Sequence, residues 1–140
     1  MLIVRSAALT DCTAIAELLL QLGYTIDPDE IRKKIAVRSD LDHVLVAELN
    51  KQVIGSISLH AFSLFHVKGN MGRITSLVVD EIHRGEKIGV SLLHAAEQWF
   101  YDKECVKFEV TSGYKRLDAH RFYEKNGYAL DSQRFSKIPK

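Results

Sequence analysis

Proline is scarce in this 140-residue chain, with two, and cysteine, methionine and tryptophan number only two, two and one. So few prolines, with eight glycines, argue against a linker-rich or low-complexity organisation. Cys12 and Cys105 are isolated, with no Cys-x-x-Cys spacing, so two reduced thiols are expected rather than a disulfide framework. The histidines, at 43, 60, 66, 83, 94 and 120, show no ligand spacing on one helix face, and no metal is expected. No apolar run approaches the roughly 20 residues needed to span a bilayer. The start, Met1-Leu2-Ile3-Val4-Arg5, lacks the charged-then-apolar layout of a leader. Nor does one charge prevail: 19 Lys+Arg face 18 Asp+Glu, a net +1, which argues against a general polyanion binder. The expectation is a cytoplasmic protein, one domain over residues 1–140, with neither nucleic acid nor membrane as partner.

What is present is an ordinary globular composition, 46% hydrophobic and 26% charged. Leu2–Ser6 reads as a short strand. Thr10 and Asp11 offer N-cap chemistry to a helix carrying Ile15, Leu18, Leu19 and Leu22 and ending at Gly23. A second helix is expected from Asp27 to about Arg38, with Pro28 in its first turn and Glu30 placed to cap back. Val44–Leu49 and Gln52–Ala61 read as strands joined by a tight turn at Asn50-Lys51, and residues 62–71 as a loop. Gly72–Asp80 is the next strand. Residues 87–102 form a long helix with Ile88, Leu92, Ala96 and Trp99 on one stripe. Val106–Thr111 alternates as a half-buried strand, and 116–126 is a helix closed by Asn126-Gly127. Tyr128–Lys137 is expected to supply one or two closing strands. The order is β-α-α-β-β-β-α-β-α-β, an α/β (α+β) pattern.

The most informative stretch runs from Leu77 to Val90, where a strand enters a turn rich in glycine and base and a helix starts at once. Amides at a helix N-terminus are unpaired and lie at the positive end of the dipole, and glycine lets a phosphate approach them. An ordinary turn with solvated Arg84 and Lys87 satisfies the spacing equally well. The stretch is neither a Walker loop nor the dinucleotide fingerprint, since it lacks Gly-Lys-Ser/Thr and the third glycine.

Arg84-Gly85-Glu86-Lys87-Ile88-Gly89 resembles the cofactor loop of the GNAT superfamily of N-acetyltransferases, Gln/Arg-x-x-Gly-x-Gly/Ala. Lys87 departs from it, occupying the place of the middle glycine; it fits there if its backbone stays helical. Downstream, Ala119-His120-Arg121-Phe122-Tyr123 through Gly127-Tyr128 resembles the superfamily's helix, Ala-x-x-Phe/Leu-Tyr-x-x-x-Gly-Phe/Tyr. The two motifs stand in the family order, separated by one helix and one strand. The resemblance implies the acyl-CoA N-acyltransferase fold, with a mixed, mostly antiparallel central sheet flanked by helices. It further implies transfer of acetyl from acetyl-CoA, with no metal, to a primary amine by direct attack through a tetrahedral intermediate.

On the same resemblance, amides of Gly85, Glu86, Lys87, Ile88, Gly89 and Val90, with Arg84, would hold the pyrophosphate. The strand Leu77, Val78 and Val79 would pair with the pantetheine arm, with an amide near Val79 facing the oxyanion. Tyr123 matches the general acid beside the CoA sulfur. No base is assigned: where many relatives carry a carboxylate, this chain has Ile74-Thr75-Ser76, leaving Glu109, His120 or water as substitutes. Arg116, where relatives often place Asn, either meets a cofactor phosphate or is a surface charge at a helix start. The acceptor is expected over residues 23–38 and 61–71. There His60, Phe62, Phe65 and His66 either line an amine pocket or serve core and dimer contacts. A small-molecule amine is the expected acceptor, and a homodimer the assembly considered. The alternative is a noncatalytic acyl-CoA-binding module of the same fold, which the missing carboxylate favours. Charge is uneven: residues 113–140 hold seven Lys/Arg against three Asp/Glu, while Asp80–Val90 holds two cations and three carboxylates. An anion in that loop must therefore be held chiefly by backbone amides.

Overall fold

The computed structural model describes residues 1–112 and 116–139. Five strands, β1 (Leu2–Ser6), β2 (Asp42–Leu49), β3 (Gln52–Ser63), β4 (Asn70–Val79) and β5 (Cys105–Val110), form one sheet in sequence order. The first three pairings are antiparallel and β4–β5 is parallel. The β2–β3 hairpin turns on Asn50 and Lys51, at φ +50° and +67°, the doubly left-handed geometry whose twist matches paired strands. Residues 62–71, expected as a loop, hold that loop at 64–69, while their two ends extend β3 and β4. Phe62 pairs with Met71 and Ser63 with Asn70, so only 64–69 is left outside.

Helices α1 (Cys12–Gln21) and α2 (Pro28–Ala36) cover one face of the sheet, and α3 (Ile88–Asp102) covers the other. Of the stripe read from the sequence, Ile88, Leu92 and Ala96 are buried and Trp99 is half-buried; Leu93 and Phe100 complete the buried face, which packs on Ile57, Leu59, Ala61 and Ile74. Trp99 lies beside it, stacked on His43 with ring centres 5.5 Å apart. A Cβ on Gly72 would come within 2.5 Å of the Phe100 ring, so the absent side chain is what lets α3 sit this close to β4. Opposite, Ile15, Ile31 and Ile35 bury Val46 and Ala7. Phe100, wholly buried, is worth about 3–5 kcal/mol against alanine.

Three local expectations are corrected. Asp11 does not cap α1 with its side chain; its carboxylate accepts from Ala8 N at 2.7 Å and from Arg5 at 2.8 and 3.1 Å. The guanidinium offers a paired, charged donor that outcompetes a helix amide. Asp27 caps α2 by accepting from Asp29 N at 2.8 Å, but Glu30 lies 3.8 Å from Lys33 instead of returning to the cap. No strand forms among the described residues from 128 onward. Leu130, Phe135 and Ile138 are almost wholly exposed, and their odd spacings put successive apolar residues on opposite faces, so no single strand face can be buried. Helix α4 (Leu117–Lys125) is therefore the last regular element described.

Candidate active site

The parallel β4–β5 ladder runs from Asn70↔Cys105 to Ile74↔Val110 and stops there. At that level β3 pairs Ser58 with Ser76 and Leu59 with Ile74, which leaves Thr75 as the extra residue of a bulge. A bulge bends its strand and disrupts pairing. Beyond it, the β4 edge from Thr75 to Val79 that faces away from β3 has no strand partner among the described residues. Leu77, Val78 and Val79 thus lie on this edge, with one row of backbone groups open. An extended amide-bearing chain can fill such an edge as an added strand does.

At the end of β4 the chain turns through a short 3-10 segment, Glu81–His83, into α3. Gly85 at φ +87° and Lys87 at φ +63° bracket Glu86, an alternation that turns successive amides to one side. Lys87 is not helical in the right-handed sense, which corrects the expectation. It is the left-handed N-cap of α3, a conformation costing a non-glycine residue roughly 1–2 kcal/mol. The first α3 amide bonded back into the turn is that of Ser91, to Lys87 O at 3.1 Å, so the amides of Ile88, Gly89 and Val90 precede the helical ladder. Arg84 does not reach outward along its whole length, because its Nε donates to Val79 O at 3.3 Å and ties the turn to the strand end. Gln21 of α1 braces the same turn, accepting from Glu81 N at 2.9 Å.

The second motif meets the first. A Cβ on Gly89 would lie 3.3 Å from two ring carbons of Phe122. Tyr123, the neighbouring residue of α4, packs edge-on against Phe122 and Tyr128, with ring centres 5.3 and 5.7 Å away. Burial pushes its phenol up to about 12, partly opposed by the charge of Arg116, so it stays protonated through the neutral range. Tyr128 is fixed by donating to Glu97 at 2.7 Å. Arg116 is the exposed N-cap of α4, and residues 113–115 before it lie outside the described residues.

Between α1, α2 and the sheet lies a cavity of about 470 Å³, lined by Ile15, Ile26, Ile31, Ile35, Lys34, Arg38, Asp42, His43, Ser58, Thr75 and Ser76, among others. The helix half of the expected acceptor region contributes to it. The other half does not: Phe65 and His66 are exposed on the 64–69 loop, and His60 and Phe62 stack on each other outside its lining. Ser58 Oγ hydrogen-bonds to Thr75 Oγ1 at 2.6 Å and Ser76 Oγ at 2.5 Å, putting three hydroxyls at the bulge. Of the candidate bases, Glu109 is engaged by Arg73 at 2.8 and 2.6 Å. Sequence reasoning missed the Asp42–His60 contact, 2.7 Å, because only the β2–β3 register brings the two together. Among the described residues there is no cluster able to hold a metal ion, and no helix is long and apolar enough to cross a membrane. Both cysteines are free, Cys105 buried and Cys12 half-buried.

Comparison with known proteins agrees with this geometry. Residues 10–128 match the family model of the acetyltransferase (GNAT) family. An aminoalkylphosphonate N-acetyltransferase of Salmonella typhimurium is 40% identical over 95 residues, covering 68% of this chain and 62% of that protein. A solved structure of a Bacillus halodurans transcriptional regulator superposes with a TM-score of 0.88 at 17% identity, over 99% of each chain. Glucosamine-6-phosphate N-acetyltransferase of Arabidopsis thaliana gives 0.83 at 23% identity, over 99% of this chain and 98% of that one. The two structures establish the fold, and the family match over most of the length, with a relative at 40% identity, establishes that this chain belongs to the GNAT acetyltransferase family.

Proposed function

We propose that the protein transfers the acetyl group of acetyl-CoA to the primary amine of a small molecule bearing an anionic group. The observation that carries this reading is the opening of β4 from β5 beyond Ile74, with the Gly85–Val90 amides at its far end. The open edge of Leu77–Val79 suits a pantetheine arm, and the amides suit a pyrophosphate despite the three carboxylates between Asp80 and Val90. Acetyl-CoA supplies the activated acyl group as a thioester. Tyr123, held protonated by its burial, is the donor to the departing sulfur. An amide near Val79 faces the developing oxyanion.

For the acceptor, the cavity against α1 and α2 has apolar walls, hydroxyls at the bulge and two cations, Lys34 on α2 and Arg38 just beyond its C-terminal end. That arrangement suits a short chain with an amine at one end and a phosphonate, phosphate or carboxylate at the other. The similarity to an aminoalkylphosphonate N-acetyltransferase favours the phosphonate. Thiol release from acetyl-CoA, followed with aminoalkylphosphonates, amino acids, amino sugars and neutral alkylamines, tests this. Turnover is expected with the anionic aminoalkyl compounds and weaker turnover with neutral amines. Tight acetyl-CoA binding without turnover on any amine would instead support a noncatalytic acyl-CoA-binding module.

A further inference from the structure

One row of ionisable side chains crosses the sheet on the α1–α2 face. In register, Asp42 of β2 stands opposite His60 of β3, His60 opposite Arg73 of β4, and Arg73 opposite Glu109 of β5. Directly opposed residues share a face. The Arg73↔Glu109 pair comes immediately before Ile74↔Val110, the last pair before β4 and β5 part. The row therefore lies at the closed end of the opening, beside the bulge hydroxyls. Within it, Asp42 Oδ1 is 2.7 Å from His60 Nδ1, and the His60 ring stacks on Phe62 at 5.3 Å and 16°. A carboxylate can only accept, so Nδ1 carries the hydrogen and Nε2 is left with its lone pair.

We propose that His60, oriented by Asp42, is the proton acceptor for the incoming amine, reached through the Ser58 hydroxyl that lines the acceptor cavity. The inference rests on the acetyltransfer reading above. Glu109, the other basic group in the row, has its carboxylate committed to Arg73, whose guanidinium also lies 4.8 Å over the Phe62 ring. Ser58 is two residues from His60 on the same strand face, and its hydroxyl bonds to those of Thr75 and Ser76 on β4. The charged groups around the ring are thus Asp42 from β2, Arg73 from β4 and Glu109 from β5, with Lys34 of α2 and Arg38 just past that helix across the cavity that Asp42 also lines. In the step itself, the substrate ammonium loses one proton to Nε2 and the amine nitrogen forms a bond to the thioester carbon. The carbon–sulfur bond then breaks, and the sulfur takes the Tyr123 proton. The second nitrogen proton restores Tyr123 through solvent, and His60 releases its own to water.

The test is the pH profile of kcat/KM for the amine, with acetyl-CoA affinity measured separately by calorimetry. The wild-type profile supplies the reference plateau and acid limb. His60→Gln is expected to lower the plateau by about 10²–10⁴-fold, to abolish that acid limb, and to leave acetyl-CoA binding unchanged. Asp42→Asn, which keeps an acceptor for Nδ1–H but removes the charge, is expected to lower the plateau by about 10-fold and to leave acetyl-CoA binding unchanged. A His60→Gln enzyme with the wild-type plateau and acid limb overturns the proposal. Should that variant fail to bind acetyl-CoA, Asp42→Asn decides, and a wild-type plateau in it overturns the proposal. If the wild type binds acetyl-CoA but acetylates no amine, the function reading fails and this inference with it.

Discussion

Gly89 lies directly beneath Phe122, so that a β-carbon at position 89 would meet two ring carbons at 3.3 Å. Its missing side chain lets the Phe122 ring of α4 close onto the first turn of α3, with Val79 at the end of β4 3.8 Å from the same point. Gly89→Leu is expected to abolish acetyl-CoA binding and to lower folding stability by about 1–3 kcal/mol through overpacking against Phe122. Calorimetric titration with acetyl-CoA and a urea melt separate the two effects. Retained affinity would remove the turn from the cofactor site.

Lys87 presents the opposite case, a side chain held where glycine is at ease. Lys87→Gly is expected to leave acetyl-CoA affinity within a few-fold of wild type and to raise stability by up to about 1 kcal/mol, the left-handed strain relieved less the added chain entropy. A large loss of affinity would mean that the ammonium, and not the backbone, holds the ligand.

Tyr123→Phe keeps the packing against Phe122 and Tyr128 and removes only the hydroxyl. The turnover number is expected to fall about 10²–10⁴-fold with the KM for acetyl-CoA little changed. An unchanged turnover number in steady-state thiol release would refute the assignment of the acid.

Away from the site, Arg5 bridges Asp11 and Glu48, at 2.8 Å and 2.9 Å, and so fastens the entry to α1 onto the β1–β2 ladder. The hydrogen bonds from Arg5 hold the nearly buried Asp11 carboxyl below the usual carboxylate range. Its stabilisation is therefore complete above the ordinary aspartate pKa and disappears as pH falls through the lowered folded value. Arg5→Ala is expected to cost about 2–3 kcal/mol at pH 7, reduced from the cost for a wholly buried pair because Arg5 is a third exposed. Denaturant melts at pH 7 and below pH 3 should show this difference shrinking with acid. A pH-independent difference would assign the loss to packing.

Much of this architecture can be read from local pattern. The α3 stripe, the doubly left-handed Asn50-Lys51 turn and the Asp27-Pro28 helix start each follow from a few adjacent residues. The turn before α3 and the Phe122-Tyr123 pair stand out only through their resemblance to the family's two motifs. What stayed hidden depends on register. Asp42 and His60 are separated by 17 intervening residues, and nothing in the sequence marks Thr75 as the bulge that parts β4 from β5. Leu130, Phe135 and Ile138 misled in the other direction, since strand propensity without a face to bury did not produce a strand.

The central claim is that the open β4 edge and the turn before α3 together hold acetyl-CoA. Titration of the isotope-labelled protein with CoA, followed amide by amide in nuclear magnetic resonance spectra, tests it most directly. Saturable shifts are predicted at Leu77–Val79 and Gly85–Val90, with smaller ones at Phe122 and Tyr123. Shifts absent from both β4 and the turn, or confined to the Lys34–His43 side of the cavity, would contradict the account.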